Sequence, residues 1–192
     1  MNLRLLPLAA LLLAGSARGE TDVVAIMRDA ESAFVRADLV EAMDLYRRAA
    51  EAGHAPAQLR LGYLLDVAED NAAAEIWYRR AAEQGLPAAQ FALGEFLAKG
   101  DAGDRDGVAA LEWIELAAAQ GEPGAIRFLA NTYEHGGLGV QRSFERAREW
   151  LEAGVAIGDA WSRERLGRAY ALGELGLRVD HGRAEALRGA PR

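Results

Sequence analysis

Acidic, histidine and serine side chains decide first which reactions a chain supports, and here each tempting cluster lacks a required partner. Asp101-Ala102-Gly103-Asp104-Arg105-Asp106-Gly107 has the acid-and-glycine composition of a calcium loop. With Gly107 as its invariant glycine, such a loop needs Asp or Asn five residues earlier and Glu six later. Ala102 and Trp113 stand there, so the stretch reads as a polar turn in which Asp104 or Asp106 caps the next helix. The glycines from Gly136 to Gly139 lack the following Lys-Ser/Thr and the preceding strand of a phosphate loop. His54, His135 and His181 are far apart and show no metal-ligand spacing. Ser162 has no nucleophile-elbow context and no evident histidine partner. Carboxylate pairs such as Asp29/Glu31 and Glu112/Glu115 lie on amphipathic helices, whose solvated faces carry charge in any case. There is no cysteine, which excludes disulfides, thiolate metal sites and a thiol nucleophile. The reading is a chain that is not an enzyme and holds no metal or cofactor.

The elements behind these residues repeat. Leu45, Trp77, Trp113 and Trp150 open four similar blocks spaced 32, 36 and 37 residues apart, the period of stacked helix pairs. Three residues earlier stand Ala42, Ala74, Ala110 and Ala147, and four later Ala49, Ala81, Ala117 and Gly154. These small columns are seven apart, so they share one helix stripe along which another helix can approach closely. Eight residues after the bulky column come Gly53, Gly85, Gly121 and Gly158, suited to the left-handed closure of a helix. Pro56, Pro87 and Pro123 follow where a new helix makes its first turn. That next helix carries Leu61-Gly62, Leu93-Gly94, Leu129-Ala130 and Leu166-Gly167, and three residues on Leu65, Leu97, Tyr133 and Tyr170 complete its apolar face.

The 192 residues are about half hydrophobic, with a formal net charge of −7. An acidic chain without a long basic block is a poor ligand for phosphate backbones, so no nucleic-acid partner is expected. Met1–Arg4 is a short basic start, Leu5–Ala14 an apolar run, and 15–19 supply small residues for cleavage. This is the layout of a secretory signal peptide over residues 1–19, cleaved after Ala17 or Gly19, with an uncleaved anchor as the alternative. Removal of all of residues 1–19 would delete Arg4 and Arg18 and take the charge from −7 to −9. The run falls short of the roughly twenty apolar residues that span a bilayer, so no stable membrane insertion is expected after cleavage. A periplasmic or secreted location follows. Residues 20–37 are expected to form a capping helix, 38–180 the repeat array of about four units, and 181–192 a truncated last helix and tail.

The columns resemble the Sel-1-like repeat family, a longer-looped relative of tetratricopeptide repeats. Ala74, Trp77, Tyr78, Ala81, Ala82 and Gly85 with Ala89 to Leu97 follow its pattern closely, and Gly137-Leu138-Gly139-Val140 matches its loop. The resemblance covers about residues 38–180. Departures are the short first unit, the second loop from Lys99 to Asp106 without Gly-Val, and Gly154 in place of alanine. It implies an all-α, α/α superhelical solenoid that holds a protein or peptide partner, as an exported adaptor in the cell envelope. A second class, hydrolases of cell-wall or β-lactam substrates, has been proposed for cysteine-rich members. A structural spacer is a third. In tetratricopeptide relatives the first helix of each pair lines the binding groove. That implies partner contacts at Tyr63, Glu95, Asn131 and Arg168, just after the Leu-Gly pair, with Asp66, Lys99, Glu134 and His135 a turn further on. Trp161, at the start of the last such helix, either anchors a partner or covers the end of the stack.

Overall fold

Glycine and a capping residue punctuate the chain, and helices fill the spaces between. The computed structural model describes residues 8–100 and 106–189, with side chains from residue 22 onward. Among the described residues there are ten helices. They are α1 (Leu8–Val35), α2 (Leu39–Glu51), α3 (Ala55–Val67), α4 (Asn71–Glu83), α5 (Pro87–Lys99), α6 (Gly107–Ala119), α7 (Pro123–His135), α8 (Phe144–Ala156), α9 (Ala160–Leu172) and α10 (His181–Gly189). The described residues contain no strand, only a bridge between Gly137 and Val140. The all-α fold of consecutive helix pairs is therefore as the sequence implied. Of the leader, residues 1–7 lie outside the described residues, and 8–19 belong to α1. No described helix is long and apolar enough to cross a membrane. Asp101–Arg105 of the false calcium loop also lie outside the described residues, and no group of three or more potential ligands is gathered for a metal among those searched.

The start signals work as the sequence chemistry requires. Asp38, Asp106, Ser143 and Asp159 each accept a backbone N–H three residues on, at 3.1, 3.0, 3.3 and 2.8 Å. Each satisfies one of the unpaired donors of a helix's first turn. Of the two aspartates offered as caps, Asp106 is seen in that role. His54 caps α3 through Nδ1, which accepts from Ala57 N–H at 3.3 Å. The repeated glycines Gly53, Gly85, Gly121 and Gly158 all sit between φ +82° and +89°, a conformation that a Cβ disfavours.

The chain forms two compact units, residues 1–77 and 78–192. In the first, α1 packs on α2 and α2 on α3. In the second, α5 to α10 each pack on the next. The small columns are fully buried: Ala42, Ala49, Ala74, Ala81, Ala110, Ala117 and Ala147 have no exposure. The bulky core column lies one residue after the tryptophans, at Tyr46, Tyr78, Ile114 and Leu151. Trp77, Trp113 and Trp150 are only half-buried. At 100° per residue, Tyr46 falls midway between Ala42 and Ala50, both buried, whereas Leu45 falls about 40° outside Ala49, at the edge of the inward face. Leu61, Leu93 and Leu129 close the core from the partner helices, each contributing about 1.5–3 kcal/mol by burial.

Two close approaches explain small residues. A Cβ on Gly94 would collide with Ile114 and come within 3.0 Å of the Ala110 carbonyl, so α5 and α6 cross on bare backbone. A Cβ on Gly154 would overlap the Ser162 hydroxyl and lie 2.5 Å from Ser162 Cβ. Ser162 occupies the position that Ala57, Ala89 and Ala125 hold in earlier repeats. The departure at Gly154 thus makes room for a serine where the other repeats need only a methyl.

Candidate partner-binding surface

The residues implied as partner contacts fall into different environments. In the first unit Tyr63 is half exposed, at 50%, and Asp66 is partly buried on the same helix. In the second, Asn131, Lys99 and His135 are exposed. Glu95 is partly buried, and burial pushes its carboxyl above the ordinary value, with the charge of Lys99 offsetting part of the rise. Glu134 is not presented outward. It receives Arg165 Nε at 3.1 Å and a second guanidinium nitrogen, and both side chains are about 17% exposed. Arg165 also donates to Glu174 at 2.8 Å, and Arg168 pairs with the same carboxylate at 3.2 Å. Arg168 keeps 67% of its side chain exposed.

Trp161 and Arg168 come together. On α9, Trp161, Arg165 and Arg168 share one face at i, i+4 and i+7, and Leu187 and Arg188 of α10 stand beside it. Between them lies a cleft of about 630 Å³, also lined by Arg163 and Glu164. Trp161 is 37% exposed. Of the nine candidate contacts, two line this cleft and a third, Glu134, fixes its Arg165. Tyr63, Asp66, Glu95, Lys99, Asn131 and His135 do not line it. Arg165, Glu174 and Arg188 escaped the sequence reading, although a signal was present. In repeat register Arg165 takes the place of Phe128, and Arg188 follows Tyr46, Tyr78, Ile114 and Leu151 in the core column.

The same end of the second unit holds two further charged devices. Asp159, with its side chain 2% exposed, accepts Arg127 Nε at 3.0 Å and a second Arg127 nitrogen. It also accepts the Ser162 hydroxyl at 2.7 Å and the Ser162 N–H at 2.8 Å. Burial alone would raise the Asp159 carboxyl, but these hydrogen bonds outweigh it and hold the group below its usual value. Ser162 has no exposure and its proton is committed to Asp159, so it offers no accessible nucleophile. The second device recurs. Arg146 stacks over Tyr133 and donates to its hydroxyl at 2.7 Å, while that hydroxyl donates to Glu115 at 3.2 Å. Thirty-seven residues on, Arg183 stacks over Tyr170 and donates to its hydroxyl at 3.0 Å. In the first unit Tyr46 bonds Glu31 instead, and burial, that bond and the Glu31 charge push its hydroxyl up to about 12 against the pull of Arg60.

A family model described as Sel1 repeat matches residues 29–54, 55–86, 87–122, 123–159 and 163–187. No protein of curated function matches the chain by sequence. Among solved structures it is similar to a Sel1 repeat protein from Oxalobacter formigenes, with 31% identity and a TM-score of 0.69, over 78% of this chain and 61% of that one. It is also similar to a protective antigen of uropathogenic Escherichia coli strains displaying an SLR fold. There the identity is 28% and the TM-score 0.70, over 93% of this chain and 47% of that one. A Pseudomonas aeruginosa protein at 21% identity and a TM-score of 0.59, over 86% of this chain and 63% of that one, shares the fold. The chain thus spans about 60% and about half the length of the first two.

Proposed function

The chain belongs to the Sel1 repeat family, and from that premise we propose that it is an exported, non-enzymatic scaffold that holds a protein partner in the bacterial cell envelope. Sel1 repeat proteins generally mediate protein–protein interaction. The observation that carries the reading is the division of labour within one helix type. In the second unit Leu93, Leu129 and Leu166 are buried and alike, whereas two residues on Glu95, Asn131 and Arg168 are all different, and the last two are exposed. Invariant packing with variable exposed side chains builds a surface that discriminates partners without altering the fold. Export is supported by the basic start, apolar run and small residues of 1–19.

Two measurements test the proposal. Expression with the N-terminus intact, followed by fractionation and terminal sequencing, is expected to yield an exported chain beginning at Arg18 or Glu20. An uncleaved cytoplasmic product would refute the export. Pull-down from envelope extract is expected to return a partner whose affinity falls for Asn131→Ala or Arg168→Ala while the helical melt is unchanged. Normal binding by both variants would move the surface elsewhere, and absence of any partner would favour a spacer.

A further inference from the structure

The cleft between α9 and α10 carries charged residues at positions that earlier repeats of the second unit fill with apolar ones. Where α5 meets α7, the ring of Phe91 lies against Gly124, close enough that a Cβ there would sit 2.6 Å away, and meets the ring of Phe128 edge-on at 6.2 Å. On α9 the residues in register with Gly124 and Phe128 are Trp161 and Arg165. The core column, apolar or aromatic through Leu151, becomes Arg188 on α10. Beside these residues lies the open cleft of about 630 Å³. Its lining offers apolar contact through Trp161 and Leu187 and cations at Arg168 and Arg188, with one carboxylate, Glu164, among four arginines.

Arg165 is held by Glu134 and Glu174, so its guanidinium serves the wall of the cleft. Arg168 shares Glu174 but remains two-thirds exposed, and Arg188 is exposed. These two cations reach solvent beside an aromatic ring in a chain of net charge −7. Guanidinium groups suit planar carboxylates, which they bind in bidentate fashion, and a half-exposed tryptophan suits an aliphatic or aromatic anchor.

We propose that this cleft docks an acidic segment of the partner protein, with one apolar side chain seated on Trp161 and Leu187 and carboxylates facing Arg168 and Arg188. The inference rests on the scaffold reading and assigns the chemistry of its partner. Favourable attraction here also discriminates, because a basic segment meets like charge.

The test is selection of random twelve-residue displayed peptides on the immobilised full-length protein, with counter-selection on Arg168→Ala/Arg188→Ala. The surviving peptides are expected to contain at least two Asp or Glu around a large apolar residue. Synthetic copies are expected to bind at least tenfold more weakly to the double variant and to Trp161→Ala, to weaken with added salt, and to lose binding when Glu is changed to Gln. Circular dichroism melts of the double arginine variant are expected to match the parent, and Trp161→Ala is expected to remain folded at the temperature of the binding assay. Survivors without acidic enrichment, equal binding by Gln-substituted copies, or no survivors would each overturn the inference. So would concentration-dependent self-association of the parent that the double variant abolishes, since the occupant would then be a second copy. A partner recovered from envelope extract that binds the double variant normally sinks this inference and leaves the scaffold reading standing. No partner in extract sinks both.

Discussion

Two junctions of the second unit reach out from the same repeat position with opposite chemistry. Between α5 and α7 the contact is Phe91 against Gly124 and Phe128. Between α7 and α9 the register-matched residue of Phe91 is Arg127, and it reaches a nearly buried Asp159 that also anchors Ser162. The core columns on either side are alike, with Leu93, Leu129 and Leu166 all buried. The fold therefore rests on columns that both junctions share, and the junction chemistry is free to vary. An apolar junction is indifferent to pH. An ionic one depends on it, and it places charge beside the face that meets solvent.

The sharpest way to break this contrast is to remove one side of each junction. Arg127→Ala is expected to cost about 2–3 kcal/mol at neutral pH, because it strands a buried carboxylate. Phe91→Ala is expected to cost about 2 kcal/mol, less than for a fully buried ring. The pH dependence separates them. Asp159 is held below its ordinary value of 3.8, so its contribution is present above that value and lost as pH falls through the lower folded one. The Arg127→Ala deficit should shrink below about pH 4, and the Phe91→Ala deficit should not. Parallel urea-unfolding series at several pH values decide this, and equal acid behaviour of the two variants would remove the ionic account.

A second comparison concerns how closely the helices cross. Gly94→Ala is expected to destabilise by about 1–3 kcal/mol through overpacking against Ile114 and the Ala110 carbonyl. The matching Gly167 has only ordinary contacts, at 3.6 Å to Leu187 Cβ and 3.7 Å to the Ala184 carbonyl. Gly167→Ala should therefore be neutral or stabilise by up to about 1 kcal/mol from helix propensity. Thermal melts read both, and a loss at Gly167 equal to that at Gly94 would show that the two crossings are equally tight.

Gly154 and Ser162 offer a smaller and more specific test. Gly154→Ala alone is expected to cost about 1–2 kcal/mol, and adding Ser162→Ala should recover only part of it, because the Ser162 Cβ, 2.5 Å from the added carbon, remains. A double-mutant cycle with no coupling would contradict the reading that the glycine exists to admit the serine. The smallest effect lies at Glu95, whose raised carboxyl works in the opposite sense to Asp159. Its stabilising contribution is present below the unfolded value of 4.5 and lost as pH rises through the higher folded one. Glu95→Gln should flatten that part of the stability profile, and an unchanged slope would show that the carboxyl is adequately solvated.

Much of the architecture was legible in the sequence. Gly53, Gly85, Gly121 and Gly158 sit at positive φ where the pattern required helix closure, and the alanine stripe is buried where a close crossing was expected. The candidate surface was legible only in part. Asn131 and Arg168 are exposed as implied, but Glu134 is tied to Arg165, 31 residues away. A variable polar position looks the same in sequence whether it faces solvent or a cation on the next helix. Which residue of each bulky pair enters the core was equally illegible. Trp77 and Tyr78 are adjacent bulky residues, and about 100° of helix turn decides which one enters the core.

The sequence by itself determined the helix boundaries, the pairing of consecutive helices and the small-residue crossings, because these follow from local dihedral preference and a periodicity repeated four times. Only the tertiary structure decided which charges are consumed inside the fold and which remain to meet a partner. Arg165, Arg168, Trp161 and Arg188 acquire a common cleft only when α9 and α10 pack side by side. Hydrogen bonds and ion pairs act over a few ångströms of space, a distance that spacing along the chain does not record.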